Sequence, residues 1–152
     1  MIMTLDELVR EHSLDFRVLA SDISTRVLDK CRQGVYDAER LEAVPSMLRE
    51  RYFNRSSRKG HVVYQVKDAL RRLVVVRRIN LSAPPYPLHG PLDCIFCRNV
   101  MIYFDDSVRR LVLTEMFRLL KPGGYLMVGQ AESLTGLMSD FRAVAPSIYV
   151  KA

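Results

Sequence analysis

The chain has 152 residues, the length of one ordinary domain, of which 49% are hydrophobic and 26% charged. This composition excludes a disordered chain, a collagen-like chain and a small protein built on disulfides. The formal net charge is +6, and the sequence has neither an apolar run long enough to span a membrane nor the pattern of a signal peptide. We therefore expect a cytoplasmic protein.

The first half of the chain predicts alternating helices and strands. The capping box TLDE at 4–7 indicates a first helix, and the apolar residues 16–20 indicate a buried strand that ends at Asp22. Ser24 and Gly34 are typical of the N-cap and C′ positions of a second helix. The further predicted elements are a helix that begins at Pro45, a loop at 54–60, and strands at 61–66 and 73–79.

Strands and helices also alternate in the second half. The prolines between residues 82 and 87 exclude regular structure there, and the near-continuous apolar run 92–97 is typical of a strand inside a parallel sheet. Asp105 or Asp106 caps the next helix, whose apolar residues repeat at helical spacing. The remaining predicted elements are a turn at 121–124, a strand at 125–128, and an antiparallel hairpin of 141–144 and 148–150 at the sheet edge. This order predicts an α/β fold with a doubly wound parallel sheet.

Cys94 and Cys97 form a C-x-x-C pair, which invites a metal or redox interpretation. Both lie in the predicted strand at 92–97, where residues three apart point to opposite faces. The sequence offers no second C-x-x-C or histidine pair to complete a zinc site. We therefore interpret the two cysteines as strand thiols and predict no metal site.

Two of the predicted strands are followed by residues suited to a nucleoside, at the positions where doubly wound sheets bind ligands. Asp22 could accept hydrogen bonds from both ribose hydroxyls, or it could instead cap the helix that follows it. Asn80 could read the edge of an adenine while Leu81 covers the ring face. The alternative for Asn80 and Leu81 is an ordinary loop entry.

A third polar group follows the strand at 92–97. Arg98, Asn99 and Tyr103 offer a cation for a carboxylate, an orienting amide and a phenol within six residues. Polar side chains directly after a buried strand are rarely part of a core. The structural alternative is that Arg98 forms an ion pair with Asp93 or Glu132.

The segment CRNVMIYF at 97–104 resembles the signature of the CheR-type chemotaxis methyltransferases, which methylate receptor glutamates with S-adenosylmethionine. This eight-residue motif is specific, whereas LKPGG occurs across many methyltransferases. The resemblance covers nearly the whole chain. Its further segments are VLASDIS (18–24), GVYDAERL (34–41), RYFNR (51–55), RRINL (77–81), PLDCIFC (91–97), RLLKPGGYLMVG (118–129) and the pair Glu132-Ser133.

The resemblance implies a Rossmann-like class I methyltransferase fold, truncated at the N-terminus, with a doubly wound sheet and a small inserted β-subdomain. It implies one partial catalytic domain over 1–152, with the β-subdomain at about 50–68. S-adenosylmethionine would be the cofactor and S-adenosylhomocysteine the product. The implied cofactor-binding residues are Asp22 for the ribose, Asn80 and Leu81 for the adenine, and Arg98 and Asn99 at the floor of the site. The implied catalytic residues are Arg98 and Tyr103, with Tyr103 near the transferred methyl group.

The sequence also departs from the family pattern. Family members carry a helical N-terminal domain, then a strand and a glycine loop resembling G-x-S-T-G-E-E, and this chain has no counterpart because its first glycine is Gly34. Gln130-Ala131 stands where many members have His-Ser. Ser56-Ser57-Arg58 replaces the glycine-flanked turn through which the β-subdomain of some members docks a receptor tail.

We predict from this pattern a protein-glutamate O-methyltransferase that acts on the cytoplasmic domain of a chemoreceptor or on another acidic protein. The alternative is a non-catalytic module of the same family that docks an acidic partner through the basic segment 49–78. That segment holds ten lysines and arginines against two acids. We do not expect a nucleic-acid partner, because no series of aromatic residues accompanies the basic ones.

Overall fold

The computed structural model describes residues 1–12, 15–58, 60–132, 134, 136 and 140–152. The helices are α1 (Ile2–His12), α2 (Thr25–Gln33), α3 (Ser46–Tyr52), α4 (Asp68–Arg71) and α5 (Asp106–Leu119), with 3-10 turns at Ala38–Leu41 and Met101–Tyr103. The strands are β1 (Val18–Asp22), β2 (Val35–Asp37), β3 (Phe53–Arg58), β4 (His61–Val66), β5 (Val74–Arg78), β6 (Leu92–Cys97), β7 (Leu120–Val128), β8 (Phe141–Ala145) and β9 (Ile148–Lys151).

The described residues divide into two compact units, Met1–Ile79 and Asn80–Ala152. In the first unit, β1 and β5 pair in parallel, from Val18 opposite Val74 to Asp22 opposite Arg78. The helix α2 packs against both strands, as expected where a helix lies between parallel strands in the chain. The mixed α/β class predicted from the sequence is confirmed.

The first unit also contains an antiparallel sheet in the order β2-β4-β3. The predicted loop at 54–60 is wrong, because β3 pairs with β4 along its whole length, from Phe53 opposite Val66 to Arg58 opposite His61. In this edge strand Phe53 is buried and the five residues after it are exposed. The strand is therefore defined by main-chain pairing and shows no apolar alternation in its sequence.

The second unit contains a four-stranded sheet in the order β6-β7-β9-β8. The strands β6 and β7 are parallel, and α5 lies between them in the chain. The predicted hairpin is confirmed, since β8 and β9 pair antiparallel and β8 is the outer strand. The predicted turn at 121–124 is instead part of β7. The register between β6 and β7 shifts in this region, between Leu92 and Cys94 of β6, and Gly123 of β7 has a φ of 73°. The core of this unit is formed by residues of the sheet and of α5, including Val112, Leu113, Leu126 and Val128.

Three helix ends follow the sequence prediction. Oγ of Ser24 accepts the backbone N–H of Val27 at the start of α2, and Gly34 ends this helix with a φ of 60°. Asp105 is the N-cap of α5, since its side chain accepts the N–H of Val108 at 2.9 Å. These contacts satisfy backbone groups that a helix leaves unpaired at its ends.

The predicted capping box at 4–7 is wrong, because α1 begins at Ile2 and Thr4 lies inside the helix. The polar face of α1 instead contacts α3. The hydroxyl of Tyr52 donates to Asp6 at 2.8 Å and also to Glu7, and Arg51 pairs with Glu7 at 2.7 Å. Glu7 thus acts between two helices rather than at a helix start.

Cys94 and Cys97 both lie on β6 as free thiols. Burial, and secondly the charge of Glu132, raises the pKa of the Cys97 thiol to about 11. Within the part of the chain that the structure describes, no group of three or more histidine, cysteine or acidic residues could hold a metal ion. None of the described helices is long and apolar enough to cross a membrane.

Candidate functional site

A cleft lies in the second unit where the chain leaves β6 and β7. These neighbouring strands are parallel, and Cys97 lies opposite Val128, so Arg98 and Gly129 begin their loops at the same level of the sheet. Ligands of α/β proteins bind at this carboxyl edge. The cleft has a volume of about 280 Å³ and is lined by Arg98, Asn99, Ile102, Gly129, Gln130, Ala131 and Glu132.

The carboxylate of Glu132 connects the two loops. Its residue is only 2% exposed. Five backbone N–H groups donate to it: those of Gly129 (2.6 Å) and Asn99 (2.8 Å) to Oε2, and those of Val100 (2.8 Å), Met101 (2.7 Å) and Ile102 (3.3 Å) to Oε1. A buried carboxylate is costly unless its oxygens are hydrogen-bonded in this way.

The same hydrogen bonds determine the ionisation of Glu132. Burial alone would raise the pKa of this carboxyl group. The N–H groups of Asn99, Gly129, Val100 and Met101 outweigh the burial, and the pKa of Glu132 lies below its usual value. The side chain therefore carries a negative charge at neutral pH.

Gly129 and Asn99 approach each other closely beside this carboxylate. A Cβ atom on Gly129 would lie 2.6 Å from Oε2 of Glu132 and 2.8 Å from Oδ1 of Asn99. Asn99 itself has a φ of 60°, a left-handed conformation that asparagine adopts more readily than most residues. The local geometry thus favours asparagine at position 99 and leaves no room for a side chain at position 129 unless Glu132 or Asn99 shifts.

The Arg98 side chain is exposed at the cleft. The alternative that Arg98 forms an ion pair with Asp93 or Glu132 is wrong. Asp93 pairs with Lys121 at 2.5 Å, and Glu132 accepts backbone N–H groups. Arg98 has no hydrogen bond or ion pair to another of the described residues. Its guanidinium is consequently available to an anionic ligand.

Tyr103 lies at the end of the 3-10 turn Met101–Tyr103, and it is 80% exposed. Met101, in the same turn, is buried in the core of the second unit, and Ile102 lines the cleft. Tyr103 is not among the residues that line the cleft. Its predicted place beside the transferred methyl group stays a prediction.

Asn80 and Leu81 open the segment that leads to β6. Oδ1 of Asn80 accepts hydrogen bonds from the backbone N–H of Ser82 at 3.1 Å and from its Oγ at 2.9 Å. The carbonyl oxygen of Leu81 accepts from the hydroxyl of Tyr86 at 2.7 Å, and the Leu81 side chain packs against the core of the second unit. The side-chain oxygen of Asn80 is therefore occupied in a local turn. The N–H groups of the same side-chain amide remain free to donate to a ligand.

Asp22 belongs to the first unit and ends β1. It is half-buried, and its Oδ1 accepts the N–H of Ser24 at 2.8 Å. Ser24, rather than Asp22, is the N-cap of α2. Asp22 thus supports the turn into the helix with one oxygen.

Residues 1–150 match the family model described as "CheR methyltransferase, SAM binding domain". The chain belongs to the CheR methyltransferase family. The predicted family and the predicted S-adenosylmethionine-binding domain are thereby confirmed. A solved structure of the glycopeptide N-methyltransferase MtfA, complexed with S-adenosylmethionine, matches with a TM-score of 0.47 and 19% identity over 90% of this chain and 43% of that one.

Curated relatives of this CheR-family chain are named as chemotaxis enzymes. It is 40% identical to "Chemotaxis protein methyltransferase 2" of Pseudomonas aeruginosa over 150 residues. This match covers 99% of this chain and 54% of that protein. It is 45% identical to "Chemotaxis protein methyltransferase 1" of Vibrio cholerae over 127 residues. This match covers 84% of this chain and 45% of that protein. The chain therefore spans about half the length of the relatives that it matches.

Two site residues of this CheR-family chain were not singled out by sequence patterns. Both lie in segments that resemble the CheR family, and Glu132 is also the possible ion-pair partner of Arg98, but neither pattern predicts a role for them in the site. The available signal was an acidic residue four positions after the end of a buried strand, within a loop that begins with glycine. An acid so close to a core is rarely buried without a set of donors.

Proposed function

We propose that this CheR-family chain is the S-adenosylmethionine-binding part of a protein-glutamate O-methyltransferase that acts on chemoreceptors. The observation that carries the proposal is the cleft at the carboxyl edge of β6 and β7, where Arg98 has no ion pair among the described residues. The match of residues 1–150 to a methyltransferase domain favours this function over a non-catalytic module. We also propose that the 152 residues act as one partial domain with a small β-subdomain at about 50–68, the part of the chain that contains β3 and β4.

The residues at the cleft fit part of the cofactor. An arginine binds a carboxylate through two parallel hydrogen bonds, and the adjacent Asn99 adds an amide. The cleft volume of about 280 Å³ lies just below the roughly 300–1,000 Å³ typical of drug-sized ligand sites. We therefore assign to Arg98 and Asn99 one end of the cofactor rather than the whole molecule.

The nucleoside end of the cofactor is assigned to residues at the other strand ends. Oδ1 of Asp22 is used by Ser24, and its second oxygen would accept a ribose hydroxyl. The amide N–H groups of Asn80 would donate to a ring nitrogen of adenine, with Leu81 against the ring face. These roles follow the family pattern, and those of Asp22 and Asn80 use polar atoms that the described contacts leave available.

The proposed methyl transfer to a glutamate carboxylate requires little acid–base catalysis from the protein. When bound, S-adenosylmethionine supplies a methyl group that its sulfonium already activates. A glutamate substrate is ionised at pH 7, so no strong base is needed. We propose that the Arg98 charge, besides holding one end of the cofactor, orients the substrate carboxylate. The place of Tyr103 near the transferred methyl group follows the family pattern alone, since this residue does not line the cleft.

An acidic face of the receptor is the partner we propose for the basic segment 49–78, and the cytoplasm is the place where the two would meet. Arg55 and Arg58 lie on the exposed edge strand β3, and neither has an ion pair among the described residues. Arg51 and Arg71 are instead paired with Glu7 and Asp68. Neutralising Arg55 and Arg58 to glutamine should weaken capture of a receptor cytoplasmic fragment, and equal capture would contradict this interface.

Isothermal titration with S-adenosylhomocysteine tests the proposed function. We expect a saturable heat for the parent chain and for Arg142→Ala, because Arg142 is an exposed arginine on β8 that does not line the cleft. We expect a weaker interaction for Arg98→Ala. The absence of any heat at millimolar ligand would contradict cofactor binding by this chain.

A further inference from the structure

The loop after β6 has the geometry of an anion-binding site that the protein fills with its own side chain. The backbone N–H groups of four successive residues, Asn99 to Ile102, all donate to the Glu132 carboxylate. Successive N–H groups that converge on one point form a concave site that favours a negative charge. Without that charge, the four N–H groups would face each other with no acceptor.

The second loop depends on the same carboxylate. The N–H of Gly129 donates to Oε2 at 2.6 Å, and the N–H of Glu132 donates to the carbonyl oxygen of Gly129 at 2.9 Å. Oε2 also accepts the N–H of Asn99, so one oxygen atom holds Gly129 and Asn99, the second residue of the other loop, together. This oxygen therefore links the two loops that line the cleft.

The conformation of Asn99 explains why this contact bears on the cleft. Asn99 has a φ of 60°, and a left-handed residue is strained unless its surroundings compensate. The hydrogen bond from its N–H to Glu132 is such a compensation. The left-handed backbone at Asn99 turns the chain directly after Arg98, and both residues line the cleft.

We propose that Glu132 is a positioning residue: its carboxylate takes the place of a bound anion in the loop 99–102 and holds Arg98 and Asn99 in the conformation that lines the cleft. The effect on the loop stands by itself, whereas the effect on ligand affinity rests on the proposed function. Glu132 would not touch the reacting atoms. It would act through the backbone of the residues that do.

The main test is Glu132→Gln, with Glu115→Gln as the matched control. Glutamine keeps the shape of the side chain but removes its charge and turns one acceptor oxygen into an N–H₂ donor that faces N–H groups. Glu115 is a buried glutamate of the same unit, 8% exposed, which accepts the backbone N–H of Tyr86 outside the cleft. Amide hydrogen exchange, thermal unfolding and titration with S-adenosylhomocysteine are measured for both variants and the parent.

We expect both variants to melt at a lower temperature. Only Glu132→Gln should speed the hydrogen exchange of the amides of Gly129 and of Asn99 to Met101. We expect exchange to be about ten- to hundredfold faster, because these N–H donors lose their acceptor. The same variant should also bind S-adenosylhomocysteine about tenfold or more weakly, because a displaced Arg98 loses a charge-assisted hydrogen bond to the ligand. Glu115→Gln should leave these amides and the affinity near the parent values.

Two results would overturn the proposal. Unchanged exchange of these amides in Glu132→Gln would mean that the carboxylate does not hold the loop, and faster exchange with parental affinity would mean that the loop does not position the ligand. If the parent binds no ligand, the proposed function fails, while the exchange rates still decide the effect on the loop. If Glu132→Gln does not fold, amide exchange in Gly129→Ala tests the effect on the loop, because its Cβ would lie 2.6 Å from Oε2 of Glu132 and displace the carboxylate while the charge remains.

Discussion

The backbone N–H of Tyr86 donates a hydrogen bond of 2.9 Å to Oε2 of Glu115, a buried residue of α5. Arg118 pairs with the same carboxylate at 2.8 Å. The irregular segment that contains three prolines between residues 82 and 87 is thus attached to the long helix of the second unit. Main-chain segments without regular structure need such side-chain acceptors to satisfy their N–H groups.

Replacing Glu115 by alanine should therefore destabilise the chain. The buried N–H of Tyr86 would lose its acceptor, at a cost of about 1–3 kcal/mol in the free energy of unfolding. Urea denaturation of Glu115→Ala beside the parent measures this change. Because Arg118 is half-exposed, Arg118→Ala should cost less than about 1 kcal/mol, and a larger loss in Arg118→Ala than in Glu115→Ala would contradict this account.

The contact between α1 and α3 should weaken in acid. Hydrogen bonds from Tyr52 and then Arg51 hold the pKa of Glu7 below its usual value of 4.5. A carboxyl group with a lowered pKa stabilises the folded chain fully above its unfolded pKa and loses that contribution as the pH falls through the folded one. We expect the melting temperature to fall below about pH 4.5, and to fall less steeply in Tyr52→Phe, which lacks the hydroxyl. Parallel pH profiles for the two proteins would contradict this role of Tyr52.

The sequence was sufficient to predict the elements whose signals are local. The capping residues Ser24, Gly34 and Asp105 lie where expected, because capping depends on neighbouring residues in the chain. The strand β6 spans the predicted residues 92–97, but it is an outer strand of its four-stranded sheet and not the inner strand that its apolar run indicates. The exposed edge strand β3 was missed, because its pairing with β4 leaves no apolar pattern. The start of α1 was also missed, because Glu7 makes its contacts with another helix.

The candidate site was predictable in its position but not in its construction. The rule that ligands bind at the ends of parallel strands led directly to Arg98 and Asn99, which line the cleft. The role of Glu132 depends on a loop more than thirty residues earlier in the chain, and no periodicity connects two such segments. The exposed Tyr103 ring shows the converse case, since a motif names the residue without fixing where its side chain lies.

Arg98→Ala should reduce ligand affinity without reducing stability. Each hydrogen bond to a charged group contributes roughly 1.5–3 kcal/mol, so S-adenosylhomocysteine should bind about tenfold to several-hundredfold more weakly. The melting temperature should stay near that of the parent, because Arg98 has no ion pair to lose among the described residues. A marked fall in melting temperature, with the affinity intact, would show that the arginine is structural after all.

Asp22→Ala and Asp22→Asn together separate the ribose role of this residue from its role in the turn. Oδ1 of Asp22 accepts the N–H of Ser24 at 2.8 Å, and the asparagine amide oxygen can keep that hydrogen bond. We expect alanine to lower the unfolding free energy by about 0.5–1.5 kcal/mol and asparagine to lower it less. Both should weaken the binding of S-adenosylhomocysteine by about tenfold to a hundredfold, because the charged oxygen that would accept a ribose hydroxyl is lost. Thermal melts beside the ligand titration measure both effects. If Asp22→Asn binds the nucleoside as tightly as the parent, the charge of Asp22 serves the turn alone, and the ribose assignment is wrong.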